Sequence, residues 1–244
     1  MDRLIYTAMS GAQHILDQQA TNSNNLANAS SNGFRAQIDT FRAVPVIGAA
    51  LNTRAFVANA TSGTDFTPGP IQPTGRNLDV AIEGKGWFAV QRPDGTEGLT
   101  RNGSFKINSN GILTSPSGLP VVGDGGPITI PPGVVLSIAG DGTISAVNDG
   151  SNPGPSNPIG RLKLVNPAES GLTRGADGLF VSSGPAPVDE TVKVVNGSLE
   201  GSNVNVVQSM VNMISLARQF DMQMNMLKET ENSDAKASEL LQLN

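Results

Sequence analysis

One pattern near the C-terminus constrains this chain more than any other. Met210, Met213, Ala217, Phe220, Met224 and Leu227 recur at spacings of 3-4-3-4-3, the rhythm of a heptad seam. A second track, Val207, Val211 and Ile214, runs beside it. Together they predict a long helix over about residues 204–243, capped by Ser202 or Asn203 after Gly201. The seam weakens through Asp234, Ser238 and Leu241. A helix patterned this way is built to meet another helix.

A second helix is predicted over about residues 2–29. Leu4, Ala8, Ala12 and Ile15 share one face, with Leu26 on the same track. Gln19 and Asn22 interrupt that track, so the stripe is narrow and partly polar. Such a helix is marginal alone in water, because helix stability comes mostly from packing an apolar face. All seven methionines lie in or beside the two terminal helices. Flexible thioethers suit surfaces that pack against several slightly different neighbours, and ordinary helix core is the plainer alternative.

Between the helices, residues 74–202 read as β structure. Leu78 to Ile82 alternates with period two, and Trp87 to Val90 follows the turn Gly84-Lys85-Gly86. Asn108-Ser109-Asn110-Gly111 and Pro93-Asp94-Gly95 are turn signals. Further short strands are expected at 119–122, 128–130, 134–138, 143–147, 162–165, 179–181 and 192–195. Residues 35–73, with Pro45, Pro68, Pro70 and Pro73, read as an extended linker or hinge. Residues 151–158 read as an exposed Pro-rich loop. The expected fold is α+β. Terminal segments 1–34 and 203–244 pair as a coiled coil and form a helical assembly domain around a central all-β domain of short strands.

Several functions lack the residues they need. Net charge is −5 with no basic run, which argues against nucleic acid as a partner. No stretch of about 18 apolar residues is present, so no membrane span is expected. The opening residues do not form a secretory signal. Cysteine is absent, which excludes disulfides and thiolate metal sites. His14 is the lone histidine, and triads and metal shells need partners at defined spacing. Asp79 and Glu83 could pair as carboxylates, but one such pair among 21 acids is weak support for catalysis. No enzyme activity, cofactor, metal or small-molecule substrate is expected.

The most specific stretch is Asn24-Asn25-Leu26-Ala27-Asn28, followed by Gly33-Phe34-Arg35. Asparagine competes for the backbone, so the helix is expected to end here. Asn32-Gly33 suits a left-handed turn, with Phe34 packing back on the helix end. The many amides could hydrogen-bond between subunits. This segment resembles the N-terminal signature of the flagellar axial family of rod, hook and hook-associated proteins. Residues 78–86 and 100–105 are similar to that family's central β motifs, and residues 201–204 and 210–214 to its C-terminal helix motif. Within the family, residues 1–12, 34–37 and 42–45 look most like proximal-rod members. Trp87 and Leu99 stand where the family often has Phe and Tyr.

The resemblance implies a structural subunit of the flagellar basal-body rod, crossing the periplasm and polymerising through its terminal helices. The implied partners are copies of itself, other proximal and distal rod subunits, and the flagellar type III export apparatus. The expected assembly interface comprises Leu4, Ala8, Ala12, Ile15, Asn24, Asn25, Leu26, Asn28, Gly33 and Phe34 on the N-terminal side. On the C-terminal side it comprises Val207, Met210, Val211, Met213, Ile214, Ala217, Phe220, Met224 and Leu227. About 28 helical residues would span roughly 42 Å. A distal-rod paralogue is the nearest alternative. A β-domain binding module with helical oligomerisation ends is a third reading, and it requires exposed aromatics such as Trp87 or Tyr6.

Overall fold

The N-terminal stripe folds as α1 (Asp2–Ala27), burying Ala8, Ala12 and Ile15. The computed structural model describes residues 2–45, 55–148, 157–184 and 186–242. The C-terminal pattern folds as α2 (Val206–Gln242). Its cap is Asn205, whose carboxamide oxygen accepts the Gln208 N–H at 3.1 Å. The expected caps are already engaged. Ser202 is buried, and the Asn203 amide donates to the Thr67 carbonyl at 3.1 Å. The helix therefore starts two residues later than the sequence predicts.

The helices run antiparallel. The Asn22 amide donates to the Ser209 carbonyl at 2.7 Å, and a Cβ built on Gly11 would lie 3.5 Å from the Gln223 amide. Nine residues before Gly11, Asp2 falls opposite about residue 232, so roughly the last ten residues of α2 outrun α1. The least exposed positions on α2 are Ser209, Met213, Leu216, Phe220, Gln223, Leu227 and Thr230. This is a heptad rhythm, but at alternate steps it sits one residue from the apolar track seen in the sequence. Met213, Phe220 and Leu227 belong to both. Polar Ser209 and Gln223 take inward positions because α1 presents Asn22 and Gly11 to them.

Residues 35–73, expected as an extended linker or hinge, contain three strands. Strands β1 (Gln37–Pro45) and β2 (Ala55–Thr64) form an antiparallel hairpin with a register shift between Thr40 and Phe41. A third strand, Ile71–Pro73, pairs with Ser198–Glu200. Pro45 and Pro73 end strands of two-stranded sheets, edge positions where a missing N–H is tolerated. The Pro-rich loop falls mostly outside the described residues. Its end, from Asn157, enters the strand Asn157–Arg161 on the edge of a three-stranded sheet.

The chain divides into two compact units. One comprises Met1–Ala29, Ala36–Asp65 and Val204–Asn244, which holds both helices and the β1–β2 hairpin. The other comprises Ser30–Arg35 and Phe66–Asn203. The second unit is built around a five-stranded antiparallel sheet in the spatial order Leu164–Val165, Trp87–Gln91, Glu97–Thr100, Phe180–Ser182 and Leu172–Arg174. Alternate residues of Trp87–Gln91 feed opposite faces. Phe88 and Val90 enter the larger core with Phe105, Leu113, Ile144 and Leu164. Trp87 and Ala89 join Leu99, Val165 and Phe180 on the other side. Val80–Glu83 pairs with Lys193–Asn196, and Lys106–Ile107 pairs with Leu113–Thr114 across the expected Asn-Gly turn. Strands at Val134–Ile138 and Thr143–Asn148 lie where alternation predicts them.

Candidate assembly surface

The helices leave a large apolar surface uncovered. Val207 is 71% exposed, and Met210, Val211, Ile214, Met222, Met224 and Met226 are each about half exposed or more. On α1, Tyr6, Met9 and Leu16 are exposed as well. Scattered apolar residues are normal on a protein surface, whereas a contiguous set marks an interaction site. Here Val207, Met210, Val211 and Ile214 recur at helical spacing, so they share one face of α2.

The expected interface residues fall into several environments. Ala8, Ala12 and Ile15 are buried within the helical unit. Leu26, Met213, Phe220 and Leu227 are half-buried. Val207, Met210, Val211, Ile214, Ala217 and Met224 are exposed. The Leu4 side chain lies outside the described residues.

The amide-rich end of α1 is already used within the subunit. Asn25 donates to the Gln37 carbonyl and accepts the Gln37 N–H, both at 2.8 Å. One side chain thus reproduces the pairing that a neighbouring strand would offer β1. The Asn28 amide donates to the Asn24 carbonyl at 2.9 Å, and Asn24 itself is exposed. Amide abundance alone did not separate these internal uses from the expected bonds between subunits. Gly33 is left-handed, as Asn-Gly predicts, but it stands beyond the helix end. Its N–H donates to the Glu200 carbonyl at 2.7 Å. A Cβ there would fall 2.4 Å from the Arg101 carbonyl carbon, so both φ and space demand glycine. Phe34, expected against the helix end, is buried in the β-rich unit with the Arg174 guanidinium 4.5 Å from its ring centroid.

Sequence reasoning missed a buried charge cluster. Arg35 Nη2 lies 2.7 Å from Glu200 Oε1, and Arg101 Nε lies 3.3 Å from Glu200 Oε2. All three side chains are essentially inaccessible. Glu200 also accepts the Gly69 N–H at 2.9 Å, and Arg101 donates to the Gly84 carbonyl. Burial pushes the Arg101 guanidinium down to about 10; Glu200 opposes that shift and Arg35 adds to it. The chain thereby fastens residues 33–35 to residues 200–203 inside the β-rich unit, where the Asn203 N–H also reaches the Phe34 carbonyl. Only the proximity of Arg35 to the Gly-Phe motif hinted at a special role in the sequence.

Asp79 has a structural role. It is buried, accepts the Thr74 hydroxyl at 2.7 Å and pairs with Arg76 Nε at 2.9 Å, while Glu83 is exposed. Trp87, which a binding-module reading would expose, is buried against Phe180 with ring centroids 4.7 Å apart. Among the described residues, no helix is long and apolar enough to cross a membrane.

Comparison with known proteins matches these features to one lineage. Residues 81–146 match the profile of the flagellar hook protein FlgE/F/G D1 domain, and residues 195–240 match that of the flagellar basal body rod FlgEFG protein C-terminal region. The chain is 48% identical over 251 residues to the flagellar basal-body rod protein FlgF of Escherichia coli K12, covering 100% of both chains. It is 46% identical to that of Salmonella typhimurium LT2, again covering both chains completely. It is 31% identical to the flagellar basal-body rod protein FlgG of Buchnera aphidicola subsp. Schizaphis graminum, covering 92% of this chain and 96% of the relative.

Proposed function

This chain belongs to the flagellar basal-body rod protein family, and from that premise we propose that it polymerises through its two terminal helices. It is a structural, non-enzymatic subunit of the flagellar basal-body rod and assembles with other rod subunits. The observation that carries the polymerisation reading is the exposed face of α2 formed by Val207, Met210, Val211 and Ile214. Fully burying one such side chain is worth about 1.5–3 kcal/mol. A few copies meeting along a helix thus supply the driving force for assembly. Contacts of this kind that repeat without closing produce a filament.

In this reading α1 and α2 pair as a short coiled coil, with Ala8, Ala12 and Ile15 inside it. The faces left outside meet neighbouring copies and other rod subunits. Full-length likeness to relatives named FlgF, together with residues 1–12, supports a proximal position in the rod. Delivery through the flagellar type III apparatus is part of the same reading.

Ile214→Asp tests it. The side chain is 57% exposed, so the substitution leaves the free subunit folded. Cells carrying it are expected to lose rods and motility, while purified protein keeps the wild-type helical signal and Trp87 emission. Normal rods in cells expressing the variant would sink the proposal.

A further inference from the structure

The buried cluster holds two guanidiniums against one carboxylate. Arg35 and Arg101 share Glu200, and among the described residues no second carboxylate pairs with either, which leaves one positive charge in excess. A third guanidinium, that of Arg174, donates to the Arg35 carbonyl at 3.1 Å and adds no negative charge. Among the described residues, Nε and Nη1 of Arg35 and Nη1 of Arg101 are buried without an acceptor, and Glu200 Oε2 is buried without a hydrogen-bond donor, so the cluster has more orphaned donors than acceptors. Burying an unpaired charge is strongly unfavourable, and each buried donor left without an acceptor adds its own desolvation penalty.

Both guanidiniums line a small cavity with Trp87, Phe66 and Gly86. Its mouth carries the exposed Lys85–Glu169 pair, 2.8 Å apart. The cavity offers about 20 Å³, room for at least one water-sized species. That room suits a monatomic anion. A neutral water could accept from the free N–H groups but would leave the charge unbalanced.

We propose that Arg35 and Arg101 hold a halide ion, chloride in the cell, in the cavity beside Trp87. The ion accepts from the guanidinium N–H groups, neutralises the excess charge and lies against the edge of the indole. The site ties subunit stability to a solute, independently of how the helices assemble.

Trp87 is the only tryptophan in the chain and reports on the cavity directly, because bromide quenches indole emission on contact. Full-length protein is titrated with bromide against gluconate at constant ionic strength. Quenching is expected to follow a saturating curve, which added chloride shifts to higher bromide. Shallow, linear quenching that chloride does not move would overturn the proposal. Arg101→Met leaves one guanidinium facing one carboxylate, and its quenching is expected to become linear. If that variant does not fold, the wild-type competition decides alone.

Discussion

Three aspartates each stand two residues before a threonine and close a turn by the same device. The Asp94 carboxylate accepts the Thr96 N–H at 2.9 Å and its hydroxyl at 2.6 Å. Asp141 binds Thr143 at 3.0 and 2.9 Å, and Asp189 binds Thr191 at 2.9 and 2.6 Å. These bonds hold all three carboxyls below the usual carboxylate range. The hydroxyl bond leads at Asp94 and Asp189, and the N–H bond leads at Asp141. Folding therefore favours the ionised forms. The stability they add is fully present above the ordinary carboxylate pKa of about 4 and is lost as pH falls through the lower folded values. Thermal melts of the triple Asp94→Asn, Asp141→Asn, Asp189→Asn variant should depend less on pH below about 4 than wild-type melts; equal slopes would contradict this. One of these turns, at Pro93-Asp94-Gly95, was legible in the sequence. The Arg35–Glu200–Arg101 cluster was not, because charged residues ordinarily belong to the surface and its members are far apart in the chain.

At the scale of elements, each helix is held by side chains that replace backbone partners. Asn205 caps α2, and Asn25 stands in for a strand at the start of β1. Asn205→Ala should cost about 1 kcal/mol of helical-unit stability, measured by urea titration of the far-UV signal, with Trp87 emission tracing an unchanged second curve. An unaltered far-UV midpoint would show that the cap contributes nothing. The legibility of elements followed their chemistry. Val134–Ile138 and Thr143–Asn148 alternate and are separated by a turn, so their pattern gave them away. The β1–β2 hairpin lies in an Ala- and Thr-rich stretch without a clean alternation, so its strands were not legible in the sequence. On α2 the apolar residues at 210, 217 and 224 pointed to a seam. The helix instead turns Ser209, Leu216 and Gln223 inward, because α1 offers small and polar partners rather than a wide apolar stripe.

At the scale of the whole molecule, the two units are stabilised differently. The β-rich unit buries two hydrophobic clusters, whereas α2 exposes most of its apolar residues. Regions with few buried apolar contacts open first. On heating the free subunit, the far-UV helical signal should be lost at a lower temperature than Trp87 emission; a single coincident transition would mean that the units unfold together. The clamp between residues 33–35 and 200–203 has a further consequence, for the order in which the subunit takes shape. Gly69 reaches Glu200 across 131 residues, and Arg35 reaches Arg174 across 139. Closing a loop of that length costs about 4 kcal/mol in chain entropy, and contacts so distant in sequence slow folding. For a polypeptide delivered as an extended thread, early strands such as Trp87–Gln91 can find neighbours at once, but Arg35 and Glu200 cannot meet while either is still in transit. Whichever end arrives first, the β-rich unit stays unsealed until the other has come through.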